Sequence, residues 1–484
     1  MDRIPETEVD FKEFEQWCYD MGMAFARKLM KTALTELDKD LLKNRDHTKY
    51  RAKDLRPLTI KTLMGEVEIK RRLYKTAAGE YEYLLDRTIN LDTIGKVSIN
   101  LVRRIAETVT ECSYRAASEA VSFMTGQRIG HMGLWNIVQA VGEKLRETDA
   151  ANAKLVKANI SKGKKAVKVL HEEFDGVWIN MQGKDRPKSG RKSEMKLAAC
   201  YEGVRYTGKD KKGNPTYDMV NPLYTAGFES ADKFHEKKEG RIGAIYDLDE
   251  IEVRLVNGDG GAWVQGVAER SGDHHLQLDP FHVKREIRRS GLQKEKQAEI
   301  DKLIEAGETT AAFGYIKTLI QSEPEPGARE KIEKMLKYFE SNKDYLIPIK
   351  NRGLKLPCLA DDVIYGNMGT MEGTVCNVAA LRMKHRKASF TKDGALNLVG
   401  LICCKRSGSL DEAIYGLSEA KLPMIIEEVI TTVLSAAKSP QKDGKGYFYP
   451  INGGIPFRDV FTTNGRKAVK GVTDYRTFAE MAFI

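Results

Sequence analysis

Apolar positions along the chain change their spacing in a definite order. Phe11, Phe14, Cys18, Met21 and Phe25 recur three or four residues apart, which predicts an amphipathic helix over roughly residues 9–44, within a first module of residues 1–50. Residues 58–63, 66–74 and 81–85 are rich in β-formers and broken by Met64-Gly65 and Ala78-Gly79, which reads as a small meander filling residues 51–95. Residues 96–150 return to helical spacing. The segments SYRAASEAVSFMTG and GHMGLWNIVQAVGEKL, joined through Gly126, Gln127 and Arg128, fit a helix-turn-helix or a plain αα-hairpin.

From Lys165 the pattern becomes mixed. AVKVLHEEF reads as a strand ending in Asp175, GVWINMQ as a second strand after a tight Asp-Gly turn, and KLAACYEG as a third. A charged helix at about 230–247, the strand IEVRLVNG, the short strand HLQLD and the helix FHVKREIRRS follow. This succession, β-β-β-α-β-α-β-α, is that of a ribonuclease-H-like core. The expected fold class is therefore α+β or α/β, with the core in residues 151–282 and 346–400. Residues 283–345 are charged and almost wholly helical, an all-helical insertion, and residues 401–484 form a helical and then Gly-rich, basic C-terminal region.

Composition narrows the classes. Hydrophobic residues make up 41% of the 484, enough for a large core. No apolar run reaches the roughly 18 residues of a membrane span, and the acidic start MDRIPETEVDFKEF lacks a signal peptide's apolar stretch, so a cytoplasmic protein is expected. Seven scattered cysteines without a C-x-x-C pair argue against a disulfide framework or a zinc finger. The net charge of +10 favours a polyanionic partner. The charge is clustered at 161–168, 184–196 and 284–289, and singly each cluster could be a solvated face. The candidate nucleic-acid contacts are Arg128, Lys184, Arg186, Lys188, Arg191, Lys192, Lys284, Arg285, Arg382, Lys384, Arg386 and Lys387.

Phosphodiester chemistry at two Mg²⁺ ions needs two or three carboxylates in one small space, and neighbouring strand ends hold them rigidly. Asp175 and Asp259, the latter in VRLVNGDGGAWV, stand at the ends of the first and fourth expected strands, which are neighbours in this topology. Each alone is more often an Asp in a Gly-containing turn. Glu372 lies in the first turn of a helix whose Met371, Val375, Val378 and Leu381 form one apolar stripe. Asp361 and Asp362 are rivals for the third position, in a loop before that helix.

The segments YEYLLDR, SYRAASEA, EEFDGVWINMQG, KLAACYEG, NGDGGAWV, LDPFHVKREI and MEGTVCNVAALRMKHRKASF, in this order over roughly residues 55–480, closely resemble the ISLre-type bacterial insertion-sequence transposases. That family, formerly described as an uncharacterised protein family, is similar to the mutator group of Asp-Asp-Glu transposases. The resemblance implies Asp175, Asp259 and Glu372 as a catalytic and metal-binding triad for two Mg²⁺ ions, with Mn²⁺ as a substitute. It also implies an accessory pair, Asp279 and His282, from the mutator-group pattern of Cys or Asp, two residues, then His. Here that pair would have His282 touch the scissile phosphate or a base, with Asp279 orienting the imidazole; a helix cap is the plainer reading. The expected activity is hydrolysis at element ends followed by strand transfer of the 3′-hydroxyl into target DNA. The expected partners are DNA and further copies of the chain, at least a dimer, with no membrane. A structure-selective nuclease or resolvase on the same fold, and a domesticated DNA-binding protein, are the alternatives. No N-terminal Cys or His cluster is present, so no zinc is inferred.

Overall fold

A computed structural model describes residues 10–160, 163–268, 274–385 and 388–415. Arg386, Lys387 and the tail from residue 416 lie outside the described residues. The described chain divides into two compact units, residues 10–105 with 118–130, and residues 106–117 with 131–415.

The first unit is built on α1 (Phe11–Asn44), capped by Asp10, whose carboxylate accepts from the Lys12 N–H. A long hairpin follows, β1 (Tyr50–Thr62) with β2 (Gly65–Thr76), extended by β3 (Tyr81–Glu82). Residues 84–85, expected as strand, instead open the short helix α2 (Leu84–Thr88), because both leucines are needed in the core. With β4 (Thr93–Ile94) and β5 (Val97–Ser98) the sheet runs β3-β2-β1-β5-β4. Leu37 of α1 packs with Val67, Ile69 and Leu85, so the helical stripe and the alternate positions of β2 form one core.

Next come α3 (Ile99–Glu111) and α4 (Tyr114–Thr125), each contributing residues to both units, and α5 (His131–Lys157). α5 belongs to the second unit and packs on α6 (Ala231–Gly243) and on α13 (Lys392–Arg406). Arg241 of α6 grips Asp149 of α5 through Nε and Nη2 at 2.8 and 3.0 Å. The second helix of the expected helix-turn-helix thus has its apolar face, Leu134, Ile137, Val138 and Val141, committed to packing.

The second unit carries a five-stranded sheet, ordered β10-β7-β6-β11-β12. Its strands are β6 (Val169–Asn180), β7 (Lys192–Tyr201), β10 (Leu223–Gly227), β11 (Val253–Gly258) and β12 (His274–Leu278). A separate two-stranded hairpin, β8 (Val204–Lys209) with β9 (Pro215–Met219), is inserted between β7 and β10. β6, β11 and β12 are parallel, and β7 runs against both β6 and β10.

This differs from the sequence expectation in an instructive way. Asp175-Gly176 makes no turn: β6 passes straight through, with Asp175 opposite Leu197 and Gly176 opposite Lys196. A Cβ on the glycine would lie 2.1 Å from Glu194 Oε1 of the neighbouring strand, a contact that the flexible, exposed glutamate can relieve. The sequence reading missed the hairpin β8–β9 and, in the five-stranded sheet, β10, and KLAACY belongs to the second strand, not the third. The count of three strands in that sheet before α6 came out the same only because one was split and another overlooked.

One sheet face is covered by α6, through Leu170, Cys200, Leu223 and Ile242. Glu172 points to that face and pairs, fully buried, with Lys238 of α6 and with Arg254 of β11 at 2.7 Å. The opposite face of β6 presents His171, Glu173 and Asp175, because successive side chains alternate. Beyond β11 lie α7 (Ala262–Ala268), β12, and four helices, α8 (Pro280–Arg289), α9 (Lys294–Glu305), α10 (Thr309–Ser322) and α11 (Pro326–Ser341). Those helices share a core of their own built on Val283, Ile300, Ile316 and Phe339, as a helical insertion requires. The chain then reaches α12 (Met371–Val375), which continues as a π-helix over Cys376–Lys384, and ends in α13 and α14 (Leu410–Tyr415). No helix of the described residues is long and apolar enough to cross a membrane.

Candidate active site

β6 and β11 pair from Val253↔Val169 to Asn257↔Glu173, and continuing that register by two residues sets Asp259 beside Asp175. Asp259 sits just past the end of β11. Its Oδ1 accepts from the Gly261 N–H at 2.9 Å, and its carbonyl from the Tyr338 hydroxyl at 2.9 Å. Gly260 takes a φ of 81° and a Cβ on it would meet Asn342 Oδ1 at 2.3 Å, so the loop must be glycine here. Tyr338 lies on the last helix of the insertion and Asn342 follows it; the insertion therefore braces the Asp259 loop.

Asp175 is half-buried, and its Oδ1 accepts from its neighbour's N–H, Gly176, at 2.7 Å. Burial raises its pKa to about 6 against the Gly176 N–H and Arg285, with the charges of Asp259 and Glu372 adding to the rise. Asp175 is thus near enough to both Asp259 and Glu372 to sense their charges. Glu372 is exposed in the first turn of α12. Asp362, its rival, is paired with Arg205 at 2.8 Å.

Asp279 is buried and caps α8, its Oδ1 accepting from the Phe281 N–H at 2.8 Å with Pro280 in the first helical turn. Burial pushes its carboxyl up to about 6, with Glu173 and Asp175 adding like charge. His282 Nε2 lies 4.0 Å from Asp175 Oδ2. The group that orients the imidazole is Arg285, not Asp279: Arg285 Nη2 donates to His282 Nδ1 at 2.9 Å. That bond leaves the ring proton on Nε2, facing Asp175. Burial, and then the Arg285 charge, hold His282 down at about 4.

The residue the sequence reading passed over is Glu173. It is fully buried and accepts from five donors. Tyr201 and Thr370 hydroxyls donate to Oε1 at 2.6 and 2.8 Å; Asn257 Nδ2 and the N–H groups of Gly369 and Thr370 donate to Oε2 at 2.9, 2.6 and 3.0 Å. Gln277 of β12 donates to Asn257 Oδ1 at 3.0 Å and accepts from the Ile349 N–H at 2.9 Å. A polar chain thus crosses the sheet and ends at the N-terminus of the helix that carries Glu372. Glutamates inside an apolar strand were the available signal, since a buried acid must find donors.

The basic candidates separate. Lys184, Arg186, Lys188, Arg191 and Lys192 are all exposed at the turn between β6 and β7, at the sheet end toward which β6 and β11 both run. Arg128 is exposed in the first unit, and Lys384 on the π-helix. Lys284 is held by Asp301 and Glu305 at 3.5 and 3.3 Å. Arg382, expected in a basic surface run, is buried: its Nε donates to the Val109 carbonyl at 2.8 Å and its guanidinium lies over the Tyr114 ring. The π-turn is the cause. Its wider spacing moves Arg382 inward and turns Leu381, expected in the apolar stripe, half out to solvent.

Among the described residues, no three His, Cys, Asp or Glu side chains are gathered tightly enough to hold a metal ion as they stand. The donor chemistry nevertheless fits a hard cation: two aspartates and a glutamate, with Asp175 raised by burial and further by the Asp259 and Glu372 charges.

The model of the uncharacterised protein family UPF0236 matches residues 6–414, and the chain belongs to that family. A UPF0236 protein in the vanSb 3′ region of Streptococcus gallolyticus is similar, 25% identical over 419 residues, covering 84% of this chain and 85% of that protein. Among solved structures, the Drosophila P element transposase strand transfer complex is a neighbour at 10% identity, covering 78% of this chain and 90% of that one, with a TM-score of 0.21. Agreement that loose carries no weight.

Proposed function

We propose that the protein is a DNA transposase of the Asp-Asp-Glu class on a ribonuclease-H-like core. The observation that carries the reading is the juxtaposition of Asp175 and Asp259 at the ends of adjacent parallel strands, with the charge of Glu372 felt at Asp175. The sheet order supports it too: a central first strand flanked by its antiparallel hairpin partner and by the fourth strand. Asp175, Asp259 and Glu372 would hold two Mg²⁺ ions, or Mn²⁺, with Glu372 drawn inward from its exposed turn. Such a pair of ions supplies activation of the attacking oxygen and stabilisation of the leaving one.

The chain's own groups do the rest. His282 offers an Nε2–H beside Asp175, suited to a phosphate oxygen. The exposed basic turn from Lys184 to Lys192 neutralises the backbone on either side of the reacting phosphate. Hydrolysis at an element end and attack by the freed 3′-hydroxyl on target DNA are both in-line displacements at phosphorus, so one site can serve both. Recognition of the ends is assigned to residues 51–150, including Arg128, and joining two ends requires at least a dimer. The test is a strand-transfer assay with a pre-cut end and plasmid target in Mg²⁺. Joined product supports a transposase, whereas hydrolysis without joining would make the protein a nuclease or resolvase.

A further inference from the structure

The hairpin of β8 and β9 is bare. Tyr206 and Tyr217 are 52% and 46% exposed, and Arg205, Thr207, Lys209, Pro215 and Asp218 are exposed as well, so neither face of the ribbon is packed. A two-stranded hairpin without a covered face is marginal in water, and this one is fastened at its base. Val204 and Ile364 exchange backbone hydrogen bonds at 3.0 and 2.9 Å, and Val220 donates to the Gly203 carbonyl at 2.9 Å. The base also touches the active-site helix: Met219 Sδ lies 3.6 Å from the hydroxyl of Thr370, the residue before α12.

The tip is fixed in shape. Asp210 Oδ1 accepts from the N–H groups of Lys212 and Asn214 at 2.8 and 2.9 Å, and the Asp210 N–H donates to the Asn214 carbonyl at 2.8 Å. That turn holds Lys209, Lys211 and Lys212 out together, and among the described residues none of the three forms an ion pair. Lysines on an edge strand often serve only to prevent edge pairing. Lys211 and Lys212 lie in the turn, beyond the strands, where that purpose does not apply. Behind them Tyr206 and Tyr217 are direct cross-strand partners, ring centroids 5.9 Å apart, so both hydroxyls are displayed on one face.

We propose that this hairpin is a duplex-DNA contact, rooted against Thr370 at the start of the helix that bears Glu372. A two-stranded ribbon fits the roughly 12 Å width of the major groove. Lysines at its tip and tyrosine hydroxyls along its face are groups that bind phosphate oxygens. The inference rests on the transposase reading and deepens it by naming a part of the DNA-binding surface.

The experiment uses the full chain and a fluorescent duplex oligonucleotide, with binding followed against salt. The triple variant Lys209→Ala, Lys211→Ala, Lys212→Ala should flatten the slope of log K against log salt by about 2–3, at about 0.9 per lost phosphate contact. It should also weaken binding at least tenfold at low salt. The pair Tyr206→Phe, Tyr217→Phe, which removes only the hydroxyls, should weaken binding in the same direction. Wild-type slope and affinity in the triple variant would overturn the hairpin's role while leaving the transposase reading intact. Hairpin-dependent duplex binding without metal-dependent cleavage would do the reverse. Tighter hairpin-dependent binding to a single strand than to the duplex would also overturn the proposal.

Discussion

Glu173 accepts both the backbone N–H of Thr370, at 3.0 Å, and its hydroxyl, at 2.8 Å, one on each carboxylate oxygen. The helix bearing Glu372 is thereby tied to the strand bearing Asp175, two residues from each. If the triad is the catalytic site, Glu173 is a positioning residue. In Glu173→Gln the amide nitrogen can sit only toward the Tyr201 and Thr370 hydroxyls, which must turn to accept, and the remaining donors lose a charged acceptor, at a cost of about 1–3 kcal/mol. The variant should bind DNA with unchanged KM while its kcat falls more than about tenfold. A kcat equal to wild type would show that the tie serves folding alone.

Asp175→Asn, Asp259→Asn and Glu372→Gln should each lower Mg²⁺-dependent cleavage by more than about a thousandfold, leaving duplex binding close to wild type. Any two together should cost little beyond one, since groups that act as a unit are not additive. Normal cleavage by Glu372→Gln, with loss in Asp362→Asn, would move the third carboxylate to the loop.

The raised carboxyls make a pH prediction for the metal-free protein. Asp175, near 6 in the fold against an ordinary 3.8, favours its protonated form there. Its contribution to stability is therefore full below about 3.8 and lost as pH rises through about 6. At pH 7.5 the ionised group opposes folding by at most about 3 kcal/mol. Asp175→Asn should be more stable than wild type at pH 7.5 in chelator, the gain shrinking below pH 6 and gone near pH 4. Urea titrations at three pH values measure it, and a gain that does not vary with pH would refute the raised carboxyl that burial and the neighbouring charges produce. Asp279→Asn, which keeps a capping side chain, should follow the same course.

His282 and Asp279 should separate cleanly. Asp279→Ser retains a cap and sheds the buried charge, so at pH 7.5 it should melt no lower than wild type and cleave near the wild-type rate. His282→Ala should slow cleavage or joining more than about tenfold. Arg285→Lys, which loses the planar fork aimed at Nδ1, should produce part of that loss. A wild-type rate in purified His282→Ala would remove the imidazole from the mechanism.

Much of this was legible in the chain. The spacing of Phe11 to Phe25 gave a helix that begins within two residues of its expected start, and the helical insertion followed from charge and periodicity. The two aspartates were found by looking for carboxylates next to apolar strands. Other features depend on distant partners. Asp-Gly signals a hairpin locally, and only the unbroken pairing with β7, Asp175 opposite Leu197 and Gly176 opposite Lys196, makes it a straight strand here. β10 is five residues, all buried, with no alternation to mark it. Glu173 draws its donors from 28, 84 and up to 197 residues away, so no window of sequence contains its reason for being there.

The π-turn after Glu372 has a further consequence. A π-helix is an α-helix carrying extra residues, and the surplus uncouples the angular phase of its two ends. The phase at Glu372 is fixed by Glu173, and the phase at the far end by Arg382 seated on Val109 and Tyr114. Deleting one residue between them, such as the exposed Asn377, would let an α-helix reform but only by rotating one anchor about 100° out of place. The surplus works as a rotary joint, letting the anchored core end and the turn that bears Glu372 share one rod.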